Sequence, residues 1–363
     1  MDFAITGLSM ITSVGRDVVS SCAAIRSGIS RPREIDYFEV LDLESQDAVP
    51  LVGHPIRGFT EGFNLVGLWI RIAKVCLLDL IKQENLPDKS DIKFWQKTAL
   101  IGSLPYINDD RFLSDEDATT DLVKETYLYQ LHEELDIAIP LSNLHVVCMG
   151  HTAAIAAIAV AKDLMSSANI ERVIVLAVDS YLDTLTLEWL YKYNRLKTSA
   201  NPIDLSPGEA GACFLLESTS ACNKRNAPVY ALVEGFGIGK EINNYFSEEV
   251  NRGVGLSRVI EQSLNNTSLD LPFIGDLISD QNGENWRARE LAGARILMSK
   301  ILNMDSPLIF PSMSIGDVGS ASGGIFICIA VRSFIKHYSH GKWALILTST
   351  EHGDVGATCL RMA

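Results

Sequence analysis

The chain has 363 residues, of which 47% are hydrophobic, so at roughly 150 residues per domain it holds either two domains or one large layered unit with ample core. Lys and Arg total 31 against 45 Asp and Glu, and the resulting net charge of −14 repels phosphate backbones and anionic lipid surfaces, which argues against nucleic-acid and membrane partners. Seven cysteines (Cys22, Cys76, Cys148, Cys213, Cys222, Cys328 and Cys359) are scattered through apolar runs, with no C-x-x-C pair and no histidine at zinc spacing. This usage fits reduced thiols in a cytoplasm and implies neither a metal site nor a cofactor. No run reaches the roughly 18 uncharged apolar residues of a membrane span, and the opening MDFAITGLSM has no basic segment before its apolar stretch, so we expect an unsecreted cytoplasmic protein.

In chain order, short β-branched runs alternate with longer helical stretches, the pattern of a largely parallel sheet with helices on its faces. Strands are predicted at 3–5, 98–102, 144–149, 173–178 and 213–217, then at 229–234, 273–278, 308–311, 344–348 and 357–361. Helices are predicted at 18–27, 65–83, 119–134, 153–165, 183–193, 257–265, 286–300 and 322–335. The polar stretch from Ser218 to Ala227 is the best internal boundary, dividing the chain into halves 1–217 and 228–363 of one compact unit.

The two sides of that boundary repeat each other. VVCMGHTAAIAAIAVAKDL runs from a strand through Gly150 into a small-residue helix, and FPSMSIGDVGSASGGIFICIAVRSF does the same through Gly316. Each unit leads to a hydrophobic strand, VIVLAVDS or ALILTSTE, and each half closes on a similar piece, GEAGACFLLE or GDVGATCLRM. Three matches in the same order favour duplication. A helix start presents unpaired N–H groups and positive dipole, so side chains there are candidates for chemistry. His151 and Thr152 stand at one such start and Asp317 at the other. A pseudo-twofold axis between the halves would bring His151 and Asp317 together.

These residues carry a resemblance to the β-ketoacyl synthases of the thiolase superfamily, the condensing enzymes of fatty-acid and polyketide assembly. ITGLSMITSVGRDVVSSCAAIRSGIS resembles the family's opening strand, turn and helix. DLSPGEAGACFLLE resembles its G-E-G-A-G segment, and VYALVEGFGIG resembles the strand that starts its second half. The resemblance implies a thiolase-like αβαβα layered fold of two duplicated halves.

The family's Cys-His-His positions are filled differently. Its nucleophilic cysteine falls on His151, or on Thr152 or Cys148 if the register is shifted. The histidine of its G-H-x-x-G-A-A-G phrase falls on Asp317, the lysine five residues earlier on Ser312, and its H-G-T histidine on Asn282 of Asn282-Gly283-Glu284. Condensation needs a nucleophile to hold the acyl thioester and imidazoles to assist decarboxylation. Asn cannot become a cation, and a charged Asp317 would repel a malonyl carboxylate, so condensation is disfavoured.

Beside these positions, Cys148 lies inside LHVVCMG, where a buried inert thiol is the ordinary outcome, and Thr152 is more often a helix cap. Asp280, Asn282, Glu284, Arg287, Arg289 and Glu290 resemble a capped loop feeding a helix with surface charge pairs. Tyr181, Trp189 and Tyr191 could shape a pocket but are more often core. The EHGDVG phrase with His352 matches the family's C-terminal glycine-rich loop, which borders the acyl pocket.

Three functions remain in view. The favoured one is a subunit without condensing activity, similar to the chain-length factors of type II polyketide systems. The resemblance then implies a homodimer, or a heterodimer with a ketosynthase, and a possible acyl carrier protein partner docking on Arg287, Arg289 and Arg295. The second is an acyltransferase or thioester hydrolase in which His151 and Asp317 act as base and orienter. The third is a non-enzymatic scaffold in a multi-protein machine.

Overall fold

The first strand, β1 (Phe3–Thr12), is FAITGLSMIT and is buried along its whole length, which is why no alternation marks it in sequence. A strand covered on both faces needs helices above and below. In this computed structural model, which describes residues 3–43, 45–107, 110–112, 120–167, 169–265 and 267–363, eleven further strands follow. They are β2 (Arg33–Leu41), β3 (Ala48–Gly53), β4 (Thr98–Leu104), β5 (Leu144–Cys148), β6 (Arg172–Ser180), β7 (Glu209–Ser218), β8 (Ala231–Lys240), β9 (Asp276–Ser279), β10 (Leu308–Ile309), β11 (Trp343–Ser349) and β12 (Asp354–Met362).

Ten strands share the order β10-β9-β11-β12-β8-β1-β7-β6-β4-β5. Outward from the middle, each side repeats one pattern. β1 is antiparallel to β7 and β7 to β6, while β6, β4 and β5 are parallel; β8, β12, β11, β9 and β10 follow the same sequence of directions. The sides join through only three antiparallel pairs, Phe3↔Val233, Ala4↔Leu232 and Ile5↔Ala231.

This narrow joint lets two five-stranded blades lie on either side of two helices, Ala153–Ser167 and Ser322–Ile335, each of which touches strands of both blades. Outside them, the helix Leu65–Gln83 covers β1, β6 and β7, and the helices Val254–Leu264 and Asn285–Leu297 pack together over the second blade. The layers therefore run α-β-α-β-α. Along β6, Val173, Val175 and Ala177 face the central layer while Ile174, Leu176 and Val178 face the outer helix, the period of two hidden inside an unbroken apolar run. Glycines let the central helices approach: a Cβ on Gly323 would lie 3.0 Å from Ala154 Cβ, and one on Gly324 would lie 3.0 Å from Ala177 and Ala212.

The ten sheet strands fall where expected, several of them longer. Sequence reading missed the two-stranded hairpin β2–β3, because β2 is REIDYFEVL, mostly exposed and dense in acids, with only Ile35 and Val40 buried. The expected helix over 119–134 is broken up: Thr119 lies outside the described residues, and Thr120–Val123 and Gln130–Leu135 are separated by a π-helical stretch, Lys124–Tyr129. Among the described residues, no helix is long and apolar enough to cross a membrane.

The pairing of helix starts needs one correction. Gly150–Thr152 and Gly319–Ala321 are matching 3₁₀ turns that enter the two central helices, and their glycines share left-handed φ values of +52° and +51°. Gly150 therefore corresponds to Gly319 and His151 to Ser320; Asp317 corresponds to Cys148. The sequence pairing through Gly316 slipped because GDVG offers two glycines three residues apart.

Candidate functional site

His151 lies in the Gly150–Thr152 turn between β5 and the first central helix and is 1% exposed. Asp317 reaches the same place from the loop before the other central helix, held by bonds from its N–H to the Ser206 carbonyl and from the Gly208 N–H to its own carbonyl, both 2.8 Å. The two side chains meet with His151 Nε2 2.8 Å from Asp317 Oδ1. The same carboxylate accepts from the Gly319 N–H at 2.9 Å and, through Oδ2, from Asn282 Nδ2 at 2.6 Å. Asn282 also donates to Glu284 at 2.9 Å.

Behind the imidazole lies Arg287, with Nη2 3.4 Å from His151 Nδ1 and 3.3 Å from Nε2. Its Nη1 donates to Asp280 and to the Ser349 carbonyl, each at 2.7 Å. Glu284 in turn takes a two-pronged bond from Arg195, at 2.6 and 3.1 Å, and Arg195 reaches Glu351 at 3.5 Å. The Arg195 guanidinium lies over the rings of Trp189 and Tyr245. Tyr181 and His151 make a T-shaped contact, ring centroids 6.1 Å apart.

This is a closed ion cluster. Burial opposes ionisation of Asp317, yet His151, Arg287 and the Asn282 hydrogen bond outweigh it and hold the carboxyl well below the usual range. Burial likewise opposes the charge on Glu351, and Arg195, His151 and Arg287 overcome it, bringing that carboxyl to about 2. Glu284 is lowered against burial by Arg195, whereas for Asp280 burial prevails over Arg287 and raises it. At the edge of the cluster, burial lifts Glu290 to about 7, only partly offset by bonds from Ser349 and Asn251.

The arrangement leaves His151 little freedom. Its Nε2 is held against Asp317, and Arg287 Nη2 lies within 3.4 Å of both ring nitrogens, so the ring is fixed between a carboxylate and a guanidinium. Cys148 ends β5 half-buried, its thiol pushed up to about 12 by burial, so it is not a thiolate at neutral pH. Thr152 does not cap the helix; its hydroxyl donates to the Asp354 carbonyl at 3.2 Å and accepts from Thr348 at 3.3 Å.

Other readings shift as well. Asp280, Glu284, Arg287 and Glu290 are buried members or neighbours of the cluster, not surface caps, and Arg287 is lost to any docking patch. Trp189 and Tyr181 are buried, Tyr191 is exposed, and His352 packs against Tyr106 and Phe246. Arg195 and Glu351 were not foreseen: the first sits in the charged run YKYNRLK, the second beside His352, and neither stands at a spacing that marks it. Among the described residues, no group of three His, Cys, Asp or Glu side chains could hold a metal ion. A cleft of about 440 Å³ reaches the cluster at Arg195 and Glu284, lined also by Asn194, Tyr245, Trp286 and Arg289.

No protein-family model matches the sequence, and no curated protein matches it. Solved structures do match the fold. A β-ketoacyl synthase from Burkholderia phymatum STM815 superposes with a TM-score of 0.76 at 13% identity, over 99% of each chain. A type II polyketide synthase acyl-carrier protein in complex with its ketosynthase bound to the hexaketide gives 0.75 at 13%, over 100% of this chain and 99% of that one. The ishigamide ketosynthase/chain length factor gives 0.70 at 15%, with the same coverage. The chain thus has the layered thiolase-like fold of the ketosynthases across its whole length.

Proposed function

We propose that this chain is a non-condensing ketosynthase-like subunit that works beside an active ketosynthase, in the manner of a chain-length factor. The observation that carries the reading is the side chain at the nucleophile position: His151 is clamped between Asp317 and Arg287 and faces no open space. A condensing site needs an exposed nucleophile and a place for a carboxylate substrate; here Asp317, a carboxylate itself, stands at the position of the family's second histidine, beside where that substrate would sit, and repels it. The solved ketosynthase/chain length factor and the ketosynthase with its carrier protein make a ketosynthase and an acyl carrier protein the partners to test.

The duplicated halves, 1–217 and 228–363, offer a route to pairing, either as a homodimer or with a ketosynthase. Among the described residues, β5 ends the sheet and pairs only with β4, which leaves His145, Val146, Val147 and Cys148 half-buried at its edge. An unpaired edge of this kind invites a strand from another chain. Carrier docking on the helix Asn285–Leu297 rests on Arg289, because Arg287 is buried and Arg295 bonds the Met304 carbonyl.

The 2.8 Å His151–Asp317 contact favours a second reading, in which the pair activates water or an acyl acceptor. Intact-protein mass spectrometry after incubation with acyl-CoA and acyl-carrier donors separates the two, with His151→Ala and Cys148→Ala as controls. The partner reading expects no adduct and a defined complex with a purified ketosynthase in sedimentation. An adduct lost in His151→Ala, or thioester hydrolysis lost in that variant, supports the enzyme instead. With neither activity nor a ketosynthase complex, the scaffold reading is left.

A further inference from the structure

On the other side of Asn282 lies a larger cleft, of about 960 Å³, that the reading above does not use. Its roof is the β2–β3 hairpin, through Val40, Val49, Leu51 and Val52, and its opposite wall carries Ile203, Phe310 and Met313. The hairpin is anchored from behind, where Leu51 and Val40 pack in one cluster with Leu187, Trp189, Leu196 and Leu205, so the cavity is part of the folded framework. Its size is that of a site for a small organic molecule.

Polar residues such as Thr198, Ser199 and Ser312 line the cleft beside the apolar ones, and two lining residues carry a buried polar atom without a hydrogen bond. His54 is 5% exposed, lines the cleft, and its Nδ1 makes no hydrogen bond; Gln281 lines it too, and its buried Oε1 makes none. Leaving a buried polar group unpaired is costly, so natural interiors rarely leave one without a partner. Burial, with Lys197 adding to it, lowers His54 to about 4, so the imidazole is neutral near pH 7. A neutral imidazole and a side-chain amide together match a group that both donates and accepts. Charge points the same way: the cleft is lined by Asp42 and Asp204 as well as Lys197, so an anion finds no net positive lining there.

We propose that this cleft binds a neutral, mainly apolar small molecule through a hydroxyl group held between His54 and Gln281. The inference does not depend on the partner-subunit reading. Asn282 gives the cleft a line to the ion cluster, since it lines the cavity and donates to Asp317 and Glu284.

The test is calorimetric titration of the full chain with 1-octanol, with octanoate at pH 7.5 as the charged control. 1-Octanol should bind saturably at one molecule per chain, and octanoate at least tenfold more weakly. His54→Phe, which keeps a ring and removes Nδ1, should weaken octanol at least tenfold. Met313→Trp should block the mouth; Met313 is 77% exposed, so this variant keeps its fold even where His54→Phe does not. Absence of saturable binding overturns the proposal, as does octanol binding that Met313→Trp leaves unchanged, or that a folded His54→Phe leaves unchanged. Octanoate binding as well as octanol overturns it too.

Discussion

Asp317 accepts hydrogen bonds from three elements, the first central helix turn through His151, its own turn through Gly319, and the loop after β9 through Asn282. Removing its charge takes the partner from buried His151 and an acceptor from Asn282, and breaking a buried pair from one side costs about 3–5 kcal/mol. Asp317→Asn should lose that much in urea unfolding at pH 7.5. Because the folded carboxyl is held below its ordinary value of 3.8, its contribution is full above that pH and fades as the pH falls through the folded value. The variant should therefore differ from the parent at pH 7.5 and converge with it in strong acid.

Glu290 has the opposite sign. Its folded value of about 7 lies above its ordinary 4.5, so between these the folded state keeps a proton that the unfolded chain has released, and stability falls as the pH rises. The loss is on the order of 3 kcal/mol across that window. Glu290→Gln should remove this slope, which urea midpoints measured from pH 4.5 to 8 would show; an unchanged slope would place the titration elsewhere.

At the scale of elements, the central helices touch through residues with no side chain to spare. Gly324→Val sets carbon atoms against Ala177 and Ala212, and overpacking of this sort costs about 1–3 kcal/mol, read as a lower thermal midpoint with unchanged far-ultraviolet circular dichroism. The β5 edge is predicted to matter for association only. His145→Glu, at a β5 position outside the hydrophobic clusters, puts a charge on the edge strand and should dissociate any homodimer or ketosynthase complex in sedimentation while leaving the monomer folded. Retention of the complex would move the interface away from β5.

For the molecule as a whole, the sequence determined the layers. Unbroken apolar strands separated by long helices can be covered only on both faces, and the ordered repeat of strand, glycine turn and small-residue helix already called for two similar blades around a shared helical layer. His151 was picked out by its glycine turn and helix start and Asp317 by the neighbouring GDVG phrase, whereas Asn282 was reached only through the resemblance to the H-G-T phrase. The tertiary structure decided the rest. The turn equivalence depended on a left-handed glycine that GDVG presents twice, and the hairpin over the large cleft is stabilised by distant residues such as Leu187 and Trp189. Above all, the sequence showed Glu284 and Arg287 as ordinary charges near a helix start. Only folding brings Arg195 and Glu351, 156 positions apart, to the same place and removes water from them, and that loss of solvent makes surface-like residues into a closed ion cluster.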